Sequence, residues 1–102
     1  MKQRVVFFLY PGIVSLDVSG PLEVFAAATD LLARSNKQGQ GYEPVFAACT
    51  TGPVRTSSGL VLTAEAVVDR VAADILVVPG GPDAESAATN PQLVQQVRAA
   101  AA

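Results

Sequence analysis

The sequence predicts an α/β fold, a mostly parallel sheet flanked by helices, with a small β-hairpin inserted. Three observations carry that prediction. Arg4 to Tyr10 is a continuous β-branched and aromatic run, and a strand apolar at nearly every position is buried on both faces, as in parallel sheets. A helical pattern follows it, and then a second apolar run, Glu43 to Thr50, so strand, helix and strand form a βαβ unit with a right-handed crossover. A further buried strand, Asp74 to Val78, ends abruptly at Pro79-Gly80-Gly81.

Taken in order, the first strand breaks at Pro11-Gly12. The helix is predicted over Gly20 to Arg34: Ser19 or Gly20 can cap it, and Pro21 suits its first turn, where a missing N–H is no loss. Leu22, Phe25, Ala26, Thr29 and Leu32 fall on one face, Leu31 broadens it, and Arg34 suits the carboxyl end of the dipole. Ser35 to Gly41 is a polar loop. After the second strand, Thr51-Gly52-Pro53 reads as a turn. Val54 to Thr56 and Leu60 to Thr63 then flank Ser57-Ser58-Gly59 as a hairpin. Glu65 to Arg70 is a short helix or a turn. Pro82 to Asn90 is a loop, and Pro91 opens a last helix capped by Asn90, with Leu93, Val94 and Val97 as its apolar stripe. That helix runs into four alanines without a cap, a glycine or a following strand, which reads as a cut inside a larger domain.

Composition narrows the function. With 102 residues, half of them hydrophobic, the chain supports one domain with one core. The net charge is −2 and the seven basic residues are scattered, so no patch suited to gripping nucleic acid is present. Cys49 is the only cysteine, which excludes an intramolecular disulfide and fits a reducing cytoplasm. Histidine is absent, which removes any Ser-His or Cys-His pair and any histidine metal site from this segment. No cofactor and no metal is expected. Met1 to Tyr10 imitates a signal peptide, but Pro11-Gly12 breaks the apolar run and Asp17 and Glu23 follow, so a first strand is the better reading. No run approaches the length of a membrane span.

The residues suited to chemistry gather at predicted strand ends. Asp17, in Leu16-Asp17-Val18, stands at the mouth of the first strand-loop-helix unit, the edge where ligands bind in open α/β sheets. It either belongs to a ligand site there or simply accepts N–H bonds within the loop. Gly80 and Gly81 let the backbone approach a ligand and turn N–H groups toward an oxyanion or carboxylate; the plain alternative is a strand-to-loop turn. Cys49, within the second strand, reads as a small core hydrophobe. Glu23 is a first-turn acid or an interface residue. Gly52 to Gly59 lacks the Gly-Lys-Ser/Thr ending of a phosphate-binding loop; Arg55 there is free to meet a carboxylate across the turn.

Several of these stretches also resemble a known family. Phe8-Leu9-Tyr10-Pro11-Gly12, Leu16-Asp17, Gly20-Pro21-Leu22-Glu23-Val24-Phe25, Gly52 to Leu60 and Val77-Val78-Pro79-Gly80-Gly81-Pro82 resemble, in the same order, the ThiJ/PfpI superfamily. Within it they are most similar to the sensor domain of AraC-type transcription regulators, and next to isonitrile hydratases. The resemblance implies a flavodoxin-like, class I glutamine-amidotransferase-like fold. Residues 1–102 would be the N-terminal part of a single domain of that kind. It implies that Asp17 is the family's acidic residue and that Gly81 donates an N–H to the oxyanion hole. It places the cysteine nucleophile on an elbow beyond residue 102. Two functions follow. One is a ligand-sensing or dimerisation domain of a regulator that binds DNA through a separate C-terminal region. The other is a cysteine-dependent hydratase or amidase-like hydrolase, with Asp17 moving protons and Gly81 stabilising negative charge. Either takes a small-molecule ligand or substrate at Asp17, Gly80 and Gly81. The segment alone is expected to be inactive and to form a homo-oligomer through its unpaired strand edge, with no nucleic-acid or membrane partner.

Overall fold

Val5 to Tyr10 form an unbroken buried run, with Val5, Val6, Phe7 and Leu9 at zero exposure. Burying such a side chain contributes about 1.5–3 kcal/mol, so this segment anchors the core. The computed structural model describes residues 2–37 and 39–81. The elements are β1 (Lys2–Phe8), α1 (Leu16–Arg34), β2 (Gly41–Ala48), β3 (Gly52–Arg55), β4 (Val61–Ala64), β5 (Ala66–Val67), a 3₁₀ turn at Val68–Arg70, and β6 (Ile75–Val77). The main sheet has the order β5-β2-β1-β6 with every pair parallel; β3 and β4 form a separate antiparallel hairpin. The predicted α/β class and the hairpin are both present.

Alternate residues of β1 serve opposite faces. Phe7 stacks on Phe46 at 5.6 Å and meets Phe25 of α1 edge-on at 6.4 Å. Phe8 packs beside Tyr10 at 5.8 Å. A strand dressed with large apolar groups on both sides can only sit inside a sheet, and β1 does, between β2 and β6. Thr29 fastens α1 to the start of β2. Its hydroxyl donates to Phe25 O and accepts the Tyr42 N–H, each at 2.9 Å.

The structure corrects several sequence expectations. Helix α1 starts at Leu16, a turn before the expected Gly20, and Ser15 occupies its N-cap without a side-chain bond. Pro21 therefore lies inside the helix and gives no N–H to Asp17 O. Early anchoring offsets that loss: Val18 is buried, and the preceding Val14 N–H is held by Gly80 O at 2.8 Å. Leu31 does not extend the buried face; it is 62% exposed. Strand β2 runs two residues earlier than expected, which leaves Cys49 just past its end. Gly52 and Pro53 belong to β3 rather than to a turn, with Pro53 paired to Thr63. Within Glu65 to Arg70 the structure has strand β5, beside Ala47 and Ala48, before the 3₁₀ turn. The expected loop from Pro82 and helix from Pro91 lie outside the described residues.

Candidate functional site

Strand order decides where a ligand can enter. From β1 the chain crosses by α1 to β2 on one side, and β6 lies on the other. The crevice beyond the carboxyl ends of β1 and β6 is therefore the switch point at which open α/β sheets bind ligands. Residues 9–17 leave β1 at that crevice, and residues 78–81 leave β6 there.

Three hydrogen bonds sew these two segments together. The Tyr10 hydroxyl donates to Pro79 O at 2.6 Å in a buried setting. Val14 N–H donates to Gly80 O at 2.8 Å. Gly80 N–H donates to Asp17 Oδ2 at 3.2 Å. The sequence reading puts Asp17, Gly80 and Gly81 at one sheet edge; there the structure bonds Asp17 to Gly80 and packs Gly81 against Gly12 and Ile13. It missed the Tyr10 clasp, although a phenol ending a buried strand needs a partner for its O–H.

Asp17 sits in the first turn of α1, where the helix dipole favours a carboxylate. It is exposed at the mouth of the crevice. Its neighbours differ: Val18 is buried, while Leu16 is 69% exposed. The Asp17 charge also reaches Tyr10, whose phenol is held above the ordinary 10.0 first by burial and second by that carboxylate. Tyr10 is thus a neutral donor, positioned to fix Pro79 rather than to trade protons.

Gly81 is packed against the opposite loop. A Cβ built there would lie 2.6 Å from Gly12 O and 3.1 Å from Ile13 Cα. Only a glycine lets the two chains approach this closely. Among the described residues the Gly81 N–H has no hydrogen-bond acceptor. The arrangement therefore offers one carboxylate and one backbone donor to a small polar group.

The remaining candidates lie elsewhere. Cys49 is partly buried and packs against the core; burial first, and the Asp69 charge second, push its thiol above 9.0. A thiol held neutral is a poor nucleophile. Glu23 is exposed and, because α1 starts at Leu16, falls beyond the first turn where it was expected. Arg55 is exposed on β3 and forms no ion pair among the described residues. Within the same residues no cluster of acidic, cysteine or histidine side chains is arranged for a metal ion. No helix there is long and apolar enough to cross a membrane.

Comparison with known proteins agrees with this geometry. An uncharacterised protein from the cpoL 5′ region of Streptomyces lividans is 38% identical over 79 residues, covering 76% of this chain and 51% of that protein. The chain thus spans about half the length of that curated relative. A ThiJ/PfpI family protein from Pseudomonas syringae superposes with a TM-score of 0.74 at 21% identity, over 94% of this chain and 36% of the other. Oxidised DJ-1 from Toxoplasma gondii superposes with a TM-score of 0.63 at 21% identity, over 94% of this chain and 48% of the other. A DJ-1 superfamily protein from Agrobacterium tumefaciens reaches 0.61 at 26% identity, over 97% of this chain and 48% of the other. The sheet order, the crevice between β1 and β6, and a match to the DJ-1/PfpI family model over residues 3–102 lead to one assignment: the chain belongs to the DJ-1/PfpI family.

Proposed function

We propose that this segment forms the N-terminal part of a small-molecule-binding domain, the ligand-sensing domain of an AraC-type transcription regulator. The observation that carries the binding role is the Gly80 N–H held by the Asp17 carboxylate at 3.2 Å across the switch point. A ligand that donates to Asp17 competes with Gly80 for that oxygen, and in doing so engages the β1 and β6 ends together. The regulator reading is supported by the resemblance of Gly20 to Phe25 and of Gly52 to Gly59. DNA binding would belong to a region other than this one.

The second reading is a cysteine-dependent hydratase or amidase-like hydrolase. It is favoured by the Gly81 N–H, which has no acceptor among the described residues and stands beside the loop that carries Asp17. Such a donor would stabilise an oxyanion. Burial and the Asp69 charge raise the Cys49 thiol and disfavour its thiolate, so this reading assigns the nucleophile to a cysteine outside the segment.

Titration calorimetry of the whole protein against small amides, which can donate an N–H to Asp17, tests the binding role. Asp17→Asn is expected to weaken a true ligand by about tenfold or more, the usual loss for a hydrogen bond to a charged group. An unchanged affinity overturns it. The coding sequence after Ala102 separates the two readings. A helix-turn-helix downstream supports the regulator. Turnover that survives Cys49→Ala but depends on a downstream cysteine supports the enzyme.

A further inference from the structure

The loop that carries Asp17 is gripped from a second side, by the β3–β4 hairpin. Gly12 N–H donates to Arg55 O at 3.0 Å, and Ser57 N–H donates to Ile13 O at 2.8 Å. The hairpin tip that supplies the second bond is sharply defined. Gly59 N–H donates to Thr56 O at 3.1 Å, Thr56 N–H donates to Leu60 O at 2.9 Å, and Gly59 has φ +95. This is the three-residue hairpin loop in which a type I turn precedes a left-handed residue. Thr56, which opens it, is buried at 4% exposure, and its hydroxyl lies 3.3 Å from that of Ser58. Ser57 is the second residue of that turn. Its N–H plays no part in closing the turn and is spent wholly on Ile13.

The bond to Ile13 reaches further than one residue. Ile13 C=O and Val14 N–H belong to a single peptide unit, which is planar and stiff. Ser57 N–H holds one end of that plane, and Gly80 O holds the other at 2.8 Å. Gly80 in turn gives its own N–H to Asp17. The hairpin is thus joined to the Asp17 carboxylate through one rigid plane and one glycine. The Ser57 and Val14 bonds polarise one another through the peptide they share, while the Gly80 N–H, set apart from the Gly80 carbonyl by Cα, is coupled to them by position alone. Ile13 itself is fully buried, which leaves the plane little freedom to find another seat.

We propose that the β3–β4 hairpin is a positioning clamp for this edge of the sheet, with Ser57 a positioning residue whose backbone N–H sets the Asp17–Gly80 contact. The functional meaning of the clamp rests on the reading of Asp17 and Gly80 as the ligand-binding edge; the coupling itself is measurable without a ligand.

Amide NMR and hydrogen exchange on the whole protein, labelled with nitrogen-15, test it. Asp17→Asn first identifies the part of the Gly80 amide shift that is due to the carboxylate. Ser57→Pro then removes the one N–H of interest while retaining the turn, since proline is favoured at the second position of a type I turn. Its Gly80 amide is expected to move toward the Asp17→Asn position. Gly80 and Val14 amides should exchange about fivefold faster, the equivalent of one ordinary hydrogen bond. Ser57→Ala keeps the N–H and should retain the wild-type shift and exchange. Protected β1 amides in the same spectra establish that the fold persists. If Ser57→Pro does not fold, an amide-to-ester replacement of the Thr56–Ser57 linkage removes the same N–H donor and keeps the hairpin sequence, with the same expected shift. A folded variant lacking the donor but with wild-type Gly80 and Val14 amides overturns the clamp. Should Asp17→Asn leave ligand affinity unchanged, the ligand-binding reading falls while the clamp still stands or falls on the Gly80 amide.

Discussion

A methyl group on Gly81 would press on backbone rather than on a side chain that can turn away. Its Cβ would sit 2.6 Å from Gly12 O and 3.1 Å from Ile13 Cα, so one of the two segments would have to move. Gly81→Ala is expected to cost about 1–3 kcal/mol in urea unfolding, the range for overpacking. Gly80→Ala meets only Asp17 Oδ2, at 3.3 Å, and the carboxylate can give way. Its stability loss should be smaller, but its Asp17 contact should be looser. Equal losses for the two variants would contradict this ranking. The juxtaposition of Asp17 with Gly80 was legible in the sequence, because both follow apolar runs and so fall at the carboxyl ends of parallel strands. The clasp of Tyr10 on Pro79 was not. A tyrosine ending such a run looks like core, and only the fold shows which carbonyl its hydroxyl meets.

The same acidic device begins two strands of the main sheet. Asp74, just before β6, accepts the Arg4 N–H at 2.7 Å through its carboxylate, while its own N–H donates to Arg4 O at 2.9 Å. Glu65, just before β5, accepts the Phe46 N–H at 3.2 Å and donates its N–H to Phe46 O at 2.8 Å. Each acid supplies the ladder bond that its short strand would otherwise lack at that end. Asp74→Ala and Glu65→Ala are each expected to cost about 1 kcal/mol, with faster amide exchange confined to β6 or β5 respectively. Loss of protection throughout the sheet in either variant would contradict so local a role. Short strands explain where element reading failed. Ala66–Val67 is too brief to show any period, and Glu65 ahead of it imitates the start of a helix. The long elements were legible because β1 and α1 carry enough apolar positions to define their faces. The start of α1 was not, since Ser19-Gly20-Pro21 satisfies every local rule for a helix start. The tertiary anchors at Val14 and Val18 override it.

At the scale of the whole molecule, the two segments at the binding edge are also a seam of the fold, and Tyr10 links that seam to pH. Its phenol is held above 10.0, first by burial and second by the Asp17 charge, so the folded state favours the protonated form. The unfolded chain gives up that proton more readily. The stabilisation is therefore fully present below pH 10.0 and is lost as pH rises through the folded value. Cys49, raised above 9.0 by burial and by Asp69, acts in the same direction over a somewhat lower range. Tyr10→Phe separates the two contributions, because it removes only the phenol. It leaves Pro79 O without its donor, so at neutral pH the variant should be about 1–2 kcal/mol less stable than the wild type. The wild type then loses the Tyr10 contribution in alkali and the variant has none to lose, while Cys49 titrates in both. The stability gap measured by urea unfolding should narrow steadily as pH climbs past the tyrosine range. A gap that stays constant or widens would show that Tyr10 does not hold the β1 and β6 ends together through its protonated hydroxyl.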